Sequence, residues 1–156
     1  MREFSSRAGI SALTLMVTLV AGACGEDDST GPEVYSEPNS VQIWSLTSEI
    51  EIATGTETLT NATIFVPAGN SEAVEFVFFD QDSNPITPRS GEFLEVQIND
   101  QTIGTFTPDQ TGAFTGTLRG LAPGTTGLVV RYMYGGVNNS NAEASFVSAS
   151  FDFTVF

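Results

Sequence analysis

The chain has 156 residues and a net charge of −14, from five basic and nineteen acidic side chains, with one cysteine and no histidine. All five basic residues are arginine, which excludes imidazole bases, Ser-His-Asp triads, histidine-ligated metals and lysine Schiff bases, and the negative charge opposes binding to nucleic acid. Hydrophobic residues make up 40% of the chain and twelve residues are phenylalanine, enough apolar surface for a folded core.

Residues 1–23 have the pattern of an export signal. Arg2 and Arg7 give it a basic start, and residues 8–23 are uncharged, mostly apolar and end in three small side chains. This uncharged run has sixteen residues, fewer than the roughly 20 that a membrane-spanning helix needs. A cleaved signal peptide is therefore the first interpretation, and a retained anchor is the second.

The sequence V-A-G-A-C at positions 20–24 resembles the lipobox of bacterial lipoproteins. The resemblance implies that Cys24 is the first residue of the mature chain, with a diacylglycerol on its sulfur and an acyl group such as palmitate on its amine. Several acyl chains hold a protein stably on a membrane. The same resemblance implies the outer membrane, because Gly25 follows the cysteine and an aspartate there is typical of lipoproteins kept in the inner membrane. The alternative is an ordinary signal peptide followed by a chance cysteine.

Residues 24–40 are predicted to be an acidic, disordered tether that begins at the acylated cysteine. The segment contains Pro32 and Pro38 and shows no apolar periodicity. The three acids at 26–28 are interpreted as solvated charges that repel anionic lipid headgroups and hold the following domain off the membrane.

After residue 40 the sequence changes to short alternating runs separated by Gly, Pro, Asn and Asp, which is typical of β-strands. The predicted strands are 41–46, 62–66, 73–79, 92–98, 103–106, 113–118, 127–134 and 148–155. Their regular spacing predicts one all-β domain over 41–156, an antiparallel sandwich of about seven to eight strands. A domain of this size can bury enough apolar surface without disulfides.

The alternation within these strands predicts which side chains face inward. The predicted core consists of Val74, Phe76, Phe78, Leu94, Val96, Ile98, Leu128, Val130, Tyr132, Phe151, Phe153 and Val155. Trp44 is interpreted as a residue that packs between the two sheets, and its alternative is a surface aromatic that stacks on a sugar.

Two segments resemble bacterial Ig-like and fibronectin type III domains. In the first, a strand ends near Leu118, a turn follows at Pro123 and Gly124, and the next strand runs through Tyr132. In the second, residues 79–86 are similar to the early hairpin turn of bacterial Ig-like repeats. The resemblance implies an Ig-like β-sandwich, and since the chain has no internal repeat, it implies a single module.

One side-chain pattern could hold a metal ion. Asp80, Asp82 and Asn84 lie at i, i+2 and i+4, a spacing that can direct three oxygen ligands at one Ca²⁺. An EF-hand loop would need Gly and Glu where Pro85 and Gly91 stand. The preferred interpretation is a turn held by side-chain to backbone hydrogen bonds, and calcium binding is the alternative. No cofactor is predicted beyond the covalent lipid on Cys24.

Taken together, these features predict a non-enzymatic, lipid-anchored protein of the bacterial cell envelope. Its domain is expected to have a structural, adhesive or partner-binding role, with a membrane and an envelope protein as partners. The alternative is a receptor for a small ligand or glycan that uses the loop 135–142, whose two Gly and three Asn offer polar backbone and amide groups. A surface aromatic beside this loop would favour glycan binding, and a flat polar loop would favour a spacer.

Overall fold

The computed structural model describes residues 36–156. This part of the chain is built from ten strands, and it contains no helix long and apolar enough to cross a membrane. The strands are β1 (Ser40–Ser45), β2 (Ile50–Thr56), β3 (Thr63–Val66), β4 (Ser71–Phe79), β5 (Glu92–Ile98), β6 (Gly104–Pro108), β7 (Thr115–Gly120), β8 (Gly124–Tyr134), β9 (Glu143–Val147) and β10 (Phe151–Val155). The all-β prediction is confirmed, but the predicted count of seven to eight strands is wrong.

The strands form two sheets. The first sheet has the order β2-β1-β4-β7-β6, and the second has the order β3-β10-β8-β5, with β9 also paired to β8. Strand β3 runs parallel to β10, and the other pairs are antiparallel. Strand β8 is eleven residues long, so its first half pairs with β10 and its second half with β9.

The inward faces of the two sheets pack on each other to form the core. Phe78 of the first sheet contacts Tyr132 of the second edge to face, with ring centroids 4.8 Å apart, and it contacts Phe146 at 5.7 Å. Of the predicted core residues, all are buried except Val96, which is partly buried. The strand alternation therefore identified much of the core, but the predicted set left out buried residues of β1 and β3 such as Ile43 and Ile64.

The two strands that the sequence did not predict are β2 and β9. In β2 the buried side is formed by Ala53 and Gly55, which are too small to produce an alternation of large apolar and polar residues. Gly55 is required there because a Cβ would stand 2.4 Å from the ring of Phe151. In β9 only Phe146 is buried, so this strand also lacks the pattern.

The last predicted strand, 148–155, begins too early. The chain leaves the sheet after β9 and returns to it at Phe151. At the break, the buried Ser148 donates its backbone N–H to the carbonyl of Val130 at 2.9 Å, and its Oγ accepts the N–H of Val130 at 3.0 Å. A side chain thus replaces the backbone acceptor that the strand break removes.

The prediction that Trp44 packs between the sheets is wrong. Val41, Ile43 and Ser45 occupy the buried face of β1, and Trp44 lies half-buried on the outward face. Because successive side chains of a strand point to opposite faces, the two β-branched residues that fill the core place the indole outside. The sequence Q-I-W-S-L carries apolar residues on both faces, so alternation alone did not decide which face was inside.

Candidate functional site

Most of the predicted site residues lie at one end of the sandwich, where the described chain begins. The N–H of Asn39 donates to the carbonyl of Phe79 at 2.8 Å, which fixes this entry beside the turn 80–84. The residues before the first strand line surface grooves together with the starts of β5 and β9 and the end of β8. This end also carries the loop 135–142, because that loop joins β8 to β9.

The turn 80–84 is built around the carboxylate of Asp80. Its Oδ1 accepts the backbone N–H groups of Asp82 and Asn84, each at 2.9 Å. Its Oδ2 accepts the Asn84 amide at 3.3 Å. These hydrogen bonds, the backbone N–H of Asn84 first, lower the pKa of the Asp80 carboxyl. Ser83 has a φ of 63°, a value that such a tight turn requires.

The same geometry bears on the calcium hypothesis for Asp80, Asp82 and Asn84. The oxygens of Asp80 face N–H donors of the turn, and Asn84 uses its amide nitrogen toward Asp80. Over residues 36–156, no three or more His, Cys, Asp and Glu side chains are grouped so that they could hold a metal ion. The arrangement favours the turn interpretation over calcium binding.

The loop 135–142 is held mainly by contacts within itself. The amide of Asn139 donates to the carbonyl of Gly135 at 2.8 Å, and its Oδ1 accepts the N–H of Asn141 at 3.0 Å. Gly135 and Gly136 have φ values of 105° and 92°, which favour glycine. Asn139 therefore shapes the loop and does not present its amide to a ligand.

A tyrosine and a glutamate from neighbouring strands form a hydrogen bond that the sequence did not predict. The hydroxyl of Tyr132 donates to Oε2 of Glu92 at 2.5 Å, and the same oxygen accepts the N–H of Arg89 at 2.7 Å. Burial, followed by the hydrogen bond and negative charge of Glu92, raises the pKa of Tyr132 far above its usual value. Because these partners are 40 residues apart, no local motif marks them.

A second hydrogen bond between a tyrosine and a glutamate joins β8 to β9, and it lies at the protein surface. The hydroxyl of Tyr134 donates to Oε2 of Glu143 at 2.5 Å, and this hydrogen bond raises the pKa of Tyr134. The Tyr134 side chain is 44% exposed and stands directly before the loop 135–142. It is the kind of surface aromatic that sequence reasoning associated with glycan binding.

Both tyrosines line one groove of about 450 Å³, here called the tyrosine groove. Its lining consists of Ser36, Glu37, Pro38, Glu92, Tyr132, Tyr134, Ala144 and Ser145. A second groove of about 470 Å³ shares Ser36 and Glu37 with it and is lined by Glu57, Asp80 and Asp82, among others. The tyrosine groove combines aromatic rings with carboxylates, which suits a polar ligand that has hydroxyl groups and apolar faces.

Cys24, the predicted lipidation site, lies outside the described residues. The same holds for the predicted signal segment 1–23 and for the larger part of the predicted tether 24–40.

No protein-family model matches this chain, and no curated protein matches it. Among solved structures, it is similar to domains 4 and 5 of the S-layer protein SbsC, with 13% sequence identity and a TM-score of 0.42 over 74% of this chain and 70% of that one. It is also similar to domains 4–9 of the surface layer protein SbsC, with 12% identity and a TM-score of 0.44 over 79% of this chain. The match spans only 23% of that longer chain, and neither likeness is close enough to indicate a shared function.

Proposed function

We propose that this chain is a lipid-anchored protein of the bacterial cell envelope. Its Ig-like β-sandwich has a structural, adhesive or partner-binding role and no catalytic one. The position of the only cysteine carries this proposal. Cys24 directly follows an uncharged apolar run that ends in three small residues, which is the one position where lipid attachment needs a thiol.

The proposal of a non-catalytic role is supported by the polar side chains, because several of them form hydrogen bonds that stabilise the fold. The carboxylates of Asp80 and Asp100 accept hydrogen bonds within their own turns, and the buried hydroxyl of Ser148 completes a sheet. Two face-to-face sheets support the Ig-like class. These groups stabilise the fold, and the chain has no histidine to activate a hydroxyl nucleophile.

The lipid anchor is tested by incorporation of labelled palmitate in a bacterial host. The native chain takes up label and is processed, while Cys24→Ser does neither. A matched control, Cys24→Ser combined with Ser29→Cys, restores one thiol five positions later and stays unlabelled. If the native chain takes up no palmitate, or if the relocated thiol is labelled equally, the proposal is wrong.

Within the cell envelope, we propose the outer membrane as the location of this protein. Gly25 follows the cysteine, and the lipoprotein resemblance implies that an aspartate there would retain the protein in the inner membrane. Fractionation of the two membranes should therefore find the native chain in the outer membrane and Gly25→Asp in the inner one. Recovery of both chains in the inner membrane would contradict this assignment.

A second candidate function is binding of a glycan or another small polar ligand in the tyrosine groove. The observation that favours it is the exposed ring of Tyr134 beside the loop 135–142, with the carboxylate of Glu92 in the same groove. Sugars are bound by stacking on aromatic rings and by hydrogen bonds from their hydroxyls to carboxylates.

This candidate is tested by saturation-transfer NMR with chitotriose. The native chain should transfer saturation to the sugar, and Tyr134→Ala should abolish the transfer. Phe65→Ala is the control, because Phe65 is also an exposed aromatic, at 63%, but lies on β3 outside the groove. Equal loss in both variants, or no transfer with the native chain, would remove this candidate.

A further inference from the structure

Trp44 occupies an unusual place for the largest side chain of the molecule. It lies half-buried on the outward face of β1, and its Nε1–H donates to Oε1 of Gln42 at 3.1 Å. This hydrogen bond uses the one polar group of the indole, so the ring offers an apolar and electron-rich surface to whatever contacts it.

The ring lines a groove of about 290 Å³ on the outward face of the first sheet, here called the Trp44 groove. Its lining consists of Trp44, Ser45, Leu46, Glu49, Glu75 and Val77. Leu46 is 45% exposed, so the apolar part of the groove is open to solvent. A tryptophan, a leucine and a valine that share an outward groove form a surface suited to the aliphatic part of another molecule.

Two glutamates, Glu49 and Glu75, line the groove together with the ring. In the sheet register Trp44 is paired with Glu51 of β2 on one side and with Glu75 of β4 on the other. Glu49 stands in the turn between β1 and β2, where its φ of 56° bends the chain back. None of the six residues that line the groove is basic. The groove therefore presents negative charge around an aromatic ring, which is the complement of a cation.

The charge of the domain decides between a second copy of the chain and a different partner. Residues 36–156 carry fourteen acidic and three basic side chains, a net charge of −11. Two copies that met through this acidic groove would repel each other, since like charges at an interface oppose association. The complementary occupant carries positive charge and an aliphatic stem, and arginine and lysine side chains have both.

We propose that the Trp44 groove binds an arginine or lysine side chain from a basic segment of a partner protein. The aliphatic stem lies along Trp44 and Leu46, and the cationic group lies against the carboxylates of Glu49 and Glu75. The proposal rests on the partner-binding role proposed above and names the chemistry of that partner. It does not depend on Cys24, so the palmitate experiment and the experiment below can fail separately.

The single tryptophan of the chain makes the test direct, because all indole fluorescence comes from Trp44. The full chain is titrated with acetyl-Arg-Val-Arg-Val-Arg-amide at about 10 mM salt, where charge interactions are least screened. The fluorescence should change saturably. The same peptide with citrulline, a neutral isostere of arginine, should leave it unchanged.

Glu49→Gln combined with Glu75→Gln should weaken binding of the arginine peptide by at least about threefold. The control is Asp109→Asn combined with Asp152→Asn, which removes the same charge outside the groove and should leave the affinity within about twofold. Equal weakening by both double variants would assign the effect to net charge and overturn the proposal. The proposal is also wrong if the citrulline peptide binds equally well or if the arginine peptide leaves the indole fluorescence unchanged. It is likewise wrong if the fluorescence responds to chitotriose but not to the arginine peptide.

Discussion

At the scale of single residues, the hydrogen bond between Tyr132 and Glu92 links a core side chain to the surface. The Tyr132 side chain is buried, with 2% of its surface exposed, and its hydroxyl reaches a carboxylate at the edge of the tyrosine groove. Because hydrogen bonds to a charged acceptor are stronger than neutral ones, this contact fixes the end of β8 against β5.

Tyr132→Phe should lower the free energy of unfolding by about 1.5 kcal/mol, since it removes a buried donor to a charged acceptor. Tyr134→Phe is a matched control, because it removes the same type of tyrosine to glutamate bond at an exposed position. Tyr134→Phe should have the same urea midpoint of unfolding as the native chain. Urea unfolding of the three chains measures both effects, and an equal change in both variants would show that burial does not matter.

The same tyrosine predicts a loss of stability in alkali. The folded state raises the pKa of Tyr132, so its contribution is fully present below a pH of about 10, the usual tyrosine pKa, and is lost as the pH rises further. Thermal unfolding between about pH 9 and pH 11 should show a steeper decline for the native chain than for Tyr132→Phe. Parallel declines would assign the alkaline loss to other groups.

Sequence reasoning at this scale succeeded where the partners are close along the chain. The turn 80–84 could be predicted because the hydrogen bonds that shape it join Asp80 to Asp82 and Asn84, within four residues, and Asp and Asn favour such turns. The contact of Tyr132 with Glu92 could not be predicted, because only the register of β5 against β8 brings these residues together. The tyrosine groove depends on such contacts between residues that are far apart in the sequence.

At the scale of strands, alternation predicted those elements whose inward residues are large. Phe76 and Phe78 of β4 and Phe151 and Phe153 of β10 are separated by outward residues, and all four are buried. Strand β2 buries small residues, and its register with β1 shifts next to Trp44. A bulge changes which side chains share a face, and it cannot be identified from the alternation of one strand.

The break between β9 and β10 depends on Ser148. Ser148→Ala keeps the backbone but removes the Oγ that accepts the N–H of Val130, which leaves a buried donor without its partner. The cost should be about 1 to 3 kcal/mol in urea unfolding. Ser145→Ala is the control on the same strand region, because Ser145 is exposed and its hydroxyl makes only a long 3.4 Å bond to Tyr132. Equal stabilities of both variants would show that the break is held by backbone contacts.

At the scale of the whole molecule, an apolar core is combined with a surface whose charges are mostly negative. Residues 36–156 have fourteen acidic and three basic side chains, and of the basic ones Arg131 pairs with Glu95 across β8 and β5. Composition alone predicted both the core and the sign of the charge. It could not predict that Glu49 and Glu75 would share a groove with an outward tryptophan, because that depends on the face taken by β1.

The charge also predicts how the stability of the domain depends on salt. Acidic side chains that are held close together in the fold repel one another, and unfolding relieves this repulsion. Raising NaCl from about 10 mM to about 0.15 M shortens the screening length from about 30 Å to about 8 Å, so the free energy of unfolding should rise by on the order of 1 kcal/mol. Asp109→Asn combined with Asp152→Asn reduces the net charge and should reduce this rise, as measured by urea unfolding at both salt concentrations. If salt instead lowered the stability, attractive pairs such as Arg131 with Glu95 would outweigh the repulsion, and the surface would be stabilised by its charges.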